Sequence, residues 1–107
     1  MSRYARKVDS THGAIRAALE AAGFSVWDTH ANGGNGPDLV AGLRGATVLV
    51  ECKSPTRRDG GIKPSSLSDG QRSFATTWRG GPYIVATDPH VAVLKAIEAI
   101  TRRGQAA

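Results

Sequence analysis

The stretch Gly36-Pro37-Asp38-Leu39-Val40-Ala41-Gly42-Leu43-Arg44-Gly45-Ala46-Thr47-Val48-Leu49-Val50-Glu51-Cys52-Lys53 decides the fold. It reads as two short apolar strands joined by a glycine-containing turn, with Asp38 opening the first and Glu51 and Lys53 closing the second. Adjacent antiparallel strands bring the start of one beside the end of the other, so Asp38 and Glu51 become neighbours across twelve intervening residues. Side chains alternate faces along a strand, which sends Glu51 and Lys53 to one side and Cys52 to the other. Two carboxylates and an ammonium then converge at one end of a sheet. Such a set suits a hard divalent cation and a phosphodiester.

An acid two residues before a lysine is common, and its context is what gives it weight here. Of the four lysines, Lys7, Lys53, Lys63 and Lys95, only Lys53 has one, and that acid ends the strongest β run in the chain, Thr47-Val48-Leu49-Val50. The competing reading is a solvated Glu51–Lys53 ion pair at a strand end, an arrangement that contributes little energy.

Outward from this hairpin the chain reads as α-β-β-β-α-β-α. A helix begins near Ser10, capped by Asp9 or Ser10, carries the apolar stripe Ile15, Ala18, Leu19 and Ala22, and stops at Gly23. Phe24 to Thr29 is a strand. The glycine-rich segment from His30 to Gly36 lacks the Gly-Lys-Ser/Thr ending of a phosphate-binding loop and precedes a strand, so it reads as a flexible connection that lets a ligand come close. Ser54 to Ser66, rich in Pro, Gly, Ser and Arg, is a long loop. Leu67 to Trp78 is a helix in which Ser68 and Gln71 match capping-box spacing and Phe74 and Trp78 share a face. Gly80-Gly81-Pro82 turns the chain into a strand, Tyr83 to Ala86. Asp88-Pro89 then opens a last helix with Val93, Leu94, Ile97 and Ile100 as its apolar face. The expected fold is α/β, an α+β mixed sheet in a single domain, with a meander of three strands and a fourth returning along it after a crossover helix. The boundaries fall at a basic N-terminal arm (1–8), the domain (9–100) and a basic, fraying C-terminal tail (101–107).

The 107 residues suit one domain with one core. No apolar run is long enough to span a bilayer and no signal-peptide pattern follows Met1, so no membrane partner is expected. A lone cysteine excludes an internal disulfide and favours a reducing cytoplasm; Cys52 reads as a small core residue. Fourteen Lys and Arg against nine Asp and Glu leave a net charge of +5. That balance favours an anionic partner, nucleic acid first. Arg57, Arg58 and Lys63 follow directly on the candidate site, and Arg3, Arg6 and Lys7 form a second cluster; both are candidate DNA-binding groups.

Pro37-Asp38, Glu51-Cys52-Lys53, the Leu67-Ser68-x-x-Gln71-x-x-Phe74 segment and the Trp78-Arg79-Gly80 turn, taken in order, resemble the PD-(D/E)xK nuclease superfamily. The likeness covers about Lys7 to Ile97. It is greatest to the small stand-alone VRR-NUC type of phages and prophages, related in plan to archaeal Holliday-junction resolvases. The resemblance implies a restriction-endonuclease-like core and a metal-dependent DNA endonuclease, structure-selective on branched DNA such as a Holliday junction, in the cytoplasm of a bacterial host.

On this reading Asp38 and Glu51 hold Mg²⁺ or Mn²⁺, and the backbone carbonyl of Cys52 joins them, as the resemblance implies. Lys53 orients or deprotonates the attacking water and stabilises developing negative charge. Gln71 has two readings, a capping residue or a group aimed at the site. With one carbonyl oxygen it is not expected to satisfy both fully. Many superfamily members carry a glutamate on the first helix; here His12 or Ala14 stands at that place, and Glu20 lies further along. His12 is a candidate metal ligand against the plainer reading of a helix-face histidine. His30 and His90 carry no assigned role. A symmetric homodimer would present two sites to a two-fold junction, with Trp27 and Tyr83 as interface aromatics. The alternatives are a catalytically decayed nucleic-acid-binding module of a phage or mobile element, and a basic protein-interaction part of such a complex.

Overall fold

The turn between Leu43 and Ala46 has two residues, and both take left-handed backbone: Arg44 at φ 56° and Gly45 at φ 82°. A turn of this hand matches the right-handed twist of the strands it joins, and glycine adopts it without a Cβ penalty. It sets an antiparallel register with Leu39 opposite Val50, Ala41 opposite Val48 and Leu43 opposite Ala46.

The computed structural model describes residues 10–32, 36–54 and 67–106. Along these run α1 (Ser10–Ala21), β1 (Ser25–Asp28), one 3-10 turn (His30–Asn32), β2 (Leu39–Leu43), β3 (Ala46–Cys52), α2 (Asp69–Thr77), β4 (Tyr83–Ala86) and α3 (Pro89–Ala106). The sheet order is β1-β2-β3-β4. The first three strands are antiparallel neighbours; β4 joins β3 in parallel, placing Val85 beside Glu51 and Ala86 beside Cys52. This is the expected α+β mixed sheet with its crossover helix. The expected contacts from Arg3, Arg6, Lys7, Arg57, Arg58 and Lys63, the Asp9 cap and the arm 1–8 lie outside the described residues, as do 33–35 of the glycine-rich segment.

One face of the sheet, with Leu39, Ala41, Val48, Val50, Cys52 and Ala86, packs on α1 and α3 to form the core. Burying each Leu or Ile side chain there stabilises the fold by about 1.5–3 kcal/mol. In α1 Ile15 and Leu19 are buried as expected and His12 extends the buried stripe one turn earlier; Ala22 is exposed because the helix has already ended and Gly23 turns away at φ 104°.

The apolar face of α3 also differs from expectation. Ala92, Ala96 and Ile100 are buried, whereas Leu94 and Ile97 are exposed. Spacing of four residues selects this stripe, and alanine lets α3 lie close to α1 and the sheet. The helix continues to Ala106, past the point where a fraying tail was expected.

The opposite face of the sheet is covered at one end by α2. This helix buries no residue fully. It is held by Phe74, whose ring stacks on Trp78 at 5.5 Å and meets Tyr83 of β4 at 5.7 Å. The Trp78 indole N–H donates to the Gly81 carbonyl at 3.0 Å, closing the turn into β4. These contacts hold α2 over the end of β3.

Candidate active site

Strand β2 begins where its backbone ladder gives way to a side chain. The Asp38 N–H donates to the Val50 carbonyl at 3.0 Å, and the Cys52 N–H then donates to Asp38 Oδ2 at 2.8 Å. The Pro37 carbonyl is taken by the Thr29 hydroxyl at 2.7 Å. One carboxylate oxygen is thereby fixed by the backbone of β3, and the other, Oδ1, stands 3.3 Å from His30 Nδ1.

Alternation along β2 and β3 puts Asp38 and Glu51 on the same face. Glu51 is only 2% exposed. Its Oε2 accepts from Gln71 Nε2 at 3.1 Å and lies 4.0 Å from Lys53 Nζ, while Oε1 accepts from the Tyr83 hydroxyl at 3.4 Å. Burial raises the Glu51 pKa to about 7, and the charge of Asp38 and a hydrogen bond with it push in the same direction; Lys53 and Tyr83 oppose the shift without cancelling it. Burial, followed by the charge and hydrogen bond of Glu51, pushes the Tyr83 hydroxyl above its ordinary range. Two adjacent carboxyls in a low-dielectric setting resist joint ionisation, and a cation between them relieves that repulsion. The residues therefore fit a hard divalent ion.

Gln71 corrects the expectation that capping and site contact exclude each other. Its Oε1 accepts the Ser68 N–H at 3.0 Å, the Ser68 hydroxyl accepts the Gln71 N–H at 3.1 Å, and Nε2 reaches Glu51. The amide has a donor as well as an acceptor, so the two tasks fall to different atoms.

His12 is 7% exposed and its Nε2 lies 3.0 Å from Asp28 Oδ2, so it is neither a plain surface histidine nor remote from the site. Arg16 approaches the same oxygen at 3.4 Å, and Asp28 Oδ1 accepts the His30 N–H at 3.0 Å. Burial pushes the Asp28 carboxyl up, but the bonds from His12 and the His30 backbone, with the charges of His12 and Arg16, outweigh it and leave the carboxyl below its ordinary value. Glu20 pairs at 3.3 Å with Arg16, the arginine that also approaches Asp28.

The structure thus brings together Asp38, Glu51, Lys53 and Gln71, with His12 at their margin. It adds Asp28, His30 and Tyr83, which the sequence reading had left without a part in the site. His30 lies two residues after Asp28 and eight before Asp38 in a segment short of bulky residues, which was the available signal. Tyr83 is brought to Glu51 by the parallel pairing of β3 with β4, and no local pattern announces that. Trp27 is 64% exposed on edge strand β1, while Tyr83 is half-buried at the site.

Among the described residues no helix is long and apolar enough to cross a membrane. Comparison with curated proteins and with solved structures finds no significant match. A family model described as archaeal Holliday junction resolvase (Hjc) matches residues 5–107. That match takes in both carboxyls, Asp38 and Glu51, and their supports, and the chain belongs to the archaeal Holliday junction resolvase family.

Proposed function

We propose that the protein is a metal-dependent endonuclease that hydrolyses phosphodiester bonds in branched DNA, a four-way junction being its substrate. The observation that carries the reading is the Asp38–Glu51 pair at the end of the hairpin, with Lys53 beside it. Family membership supports DNA as the partner and a nuclease as the class. The net charge of +5 agrees with a phosphate-rich ligand.

Asp38 and Glu51 would hold Mg²⁺ or Mn²⁺, with the Cys52 carbonyl completing the protein's share. When bound, the ion supplies activation of water and neutralisation of charge on the phosphoryl oxygens. Gln71 and Tyr83 fix the two oxygens of Glu51, so that its carboxylate does not have to reorganise when DNA arrives. The Lys53 ammonium, partly exposed at the rim, orients the attacking water and stabilises the negative charge that develops on the phosphoryl group. Arg57, Arg58 and Lys63, with Arg3, Arg6 and Lys7, are the proposed phosphate contacts.

A homodimer suits a substrate with two-fold symmetry, and Trp27 offers an exposed aromatic on an edge strand for the contact. Light scattering at micromolar concentration tests it. The proposal of a phage or prophage source and a cytoplasmic site of action rests only on the VRR-NUC likeness of the sequence motifs, while the matched family model is the archaeal resolvase one. The second reading is a decayed binding module, favoured by His12 and Ala14 standing where related enzymes carry an acid. Incubation with four-way junction, duplex and single-stranded DNA, in Mn²⁺ or in EDTA, separates the two. Mn²⁺-dependent cutting of the junction supports the enzyme, and binding without cutting supports the decayed module.

A further inference from the structure

His12, His30 and Asp38 reach one point from three elements: α1, the 3-10 turn, and the residue that precedes β2. One ligand atom from each lies within 4.8 Å of the others. His30 Nδ1 and Asp38 Oδ1 are 3.3 Å apart. Two donors held about 2.0–2.2 Å from a tetrahedral ion stand about 3.4 Å apart, so this pair already has the spacing that shared ligation requires. The His12 ring meets that of His30 edge-on at 4.9 Å.

Asp28 anchors both histidines. Its Oδ2 engages His12 Nε2 and its Oδ1 accepts the His30 backbone N–H, while Arg16 balances its charge. A carboxylate behind a ligating histidine orients its ring and strengthens it as a donor, which Asp28 does for His12, while His30 is held through its backbone. Two imidazoles and one carboxylate also differ in kind from the all-oxygen set at Asp38 and Glu51. Imidazole favours zinc-like ions, and carboxylate and carbonyl oxygens favour Mg²⁺, Ca²⁺ and Mn²⁺.

We infer that His12, His30 and Asp38 form a binding site for a borderline divalent transition-metal ion of the Zn²⁺ class, adjoining the oxygen site and sharing Asp38 with it. Three protein ligands leave a fourth position for water or a phosphate oxygen. The inference rests on the proposed oxygen site only through Asp38; the two histidines are independent of Glu51.

The metal-free 107-residue chain is titrated with Zn²⁺ and Mn²⁺ by calorimetry, and with Co²⁺ by visible absorption, which reports nitrogen ligation. Wild type, H30A, H12A, D28N and E51Q are compared. The His30 side chain is half exposed, so H30A tests the site even if loss of the buried His12 ring impairs folding; metal-free melting curves check each variant. Zn²⁺ binding and the Co²⁺ band are expected in wild type and E51Q and lost in H30A, and D28N should weaken Zn²⁺ about 10–100-fold. Unchanged Zn²⁺ affinity and an unchanged Co²⁺ spectrum in H30A overturn the inference. Loss of both Zn²⁺ and Mn²⁺ in E51Q, with both kept in H30A, does the same and leaves the oxygen site standing. Mn²⁺ affinity unaltered in E51Q, with Zn²⁺ lost in H30A, instead overturns the oxygen site and sustains the histidine one.

Discussion

Gln71 donates from Nε2 to Glu51 Oε2 at 3.1 Å while its own Oε1 accepts the Ser68 N–H that opens α2. One amide thus ties the start of a surface helix to a buried carboxyl on β3. The helix has no fully buried residue, so this bond and the Phe74–Tyr83 contact help to seat it over the site.

Replacing Gln71 by leucine removes both bonds. Loss of the Ser68 N–H to Oε1 half of the capping box should cost about 1 kcal/mol in urea unfolding. Junction cleavage should fall, because Glu51 loses the donor that fixes Oε2. Gln71→Glu separates the roles: it keeps an oxygen for Ser68 but sets a second carboxyl against Glu51. At pH 5, where the pair keeps a proton, its unfolding curve should stay near that of wild type, while the pH needed for cleavage moves up. Wild-type cleavage by Gln71→Leu would leave Gln71 as a cap alone.

Stability of the metal-free protein should fall as pH rises from 5 to 8. The Glu51 pKa is raised from 4.5 to about 7 in the folded state, so its contribution is fully present below 4.5 and is lost as pH passes through about 7. A difference of that size corresponds to about 3 kcal/mol at most. Asp28 runs the other way, but only near and below 3.8, outside this window. Melting temperatures across the range test the slope, which Glu51→Gln should flatten. Added Mn²⁺ should raise the melting temperature more at pH 8 than at pH 5, because the ion favours the ionised pair.

The metal and the ammonium can be separated by substitution. Asp38→Ala and Glu51→Ala should lose the Mn²⁺-induced rise in stability, which for wild type at a hundred times the dissociation constant is about 2.7 kcal/mol. Both should also lose cleavage. Lys53→Ala should keep the Mn²⁺ effect and lose cleavage, because its contribution is made to the transition state. Equal Mn²⁺ stabilisation in wild type and both carboxyl variants would move the ion elsewhere, and wild-type cleavage by Lys53→Ala would reduce Glu51–Lys53 to a simple ion pair.

Asp38, Glu51 and Lys53 were legible because a short hairpin obeys two local rules, antiparallel pairing and alternation of faces. The Ser68–Gln71 cap was legible for the same reason, being a matter of three residues. Tyr83 was not, since its approach to Glu51 depends on how β4 docks on β3 across 32 positions of chain. Asp28 and His30 join the site through the edge pairing of β1 and a single 3-10 turn, neither of which has a strong sequence period. The stripe of α3 was misread because leucine and isoleucine outweigh alanine in a hydrophobicity pattern. In the packed structure Ala92 and Ala96 fill the close approach, and Leu94 and Ile97 are left outside.

The charge that follows the site makes the last prediction. Arg57 and Arg58 lie four and five residues beyond Lys53 in sequence, and on that ground they are proposed phosphate contacts. Each phosphate neutralised on duplex DNA contributes about −0.9 to the slope of log affinity against log salt. Replacing Arg57 and Arg58 together by glutamine should therefore flatten the slope by about two units, with affinity lost at low salt far more than at high salt. The measurement is fluorescence anisotropy of a labelled four-way junction over a salt series, with Ca²⁺ or EDTA present to prevent cutting. Metal-induced stabilisation should be the same in the double variant as in wild type, since neither arginine is a proposed ligand. An unchanged slope would put the DNA along the Arg3, Arg6 and Lys7 cluster instead, and the same experiment with those three replaced would then show the loss.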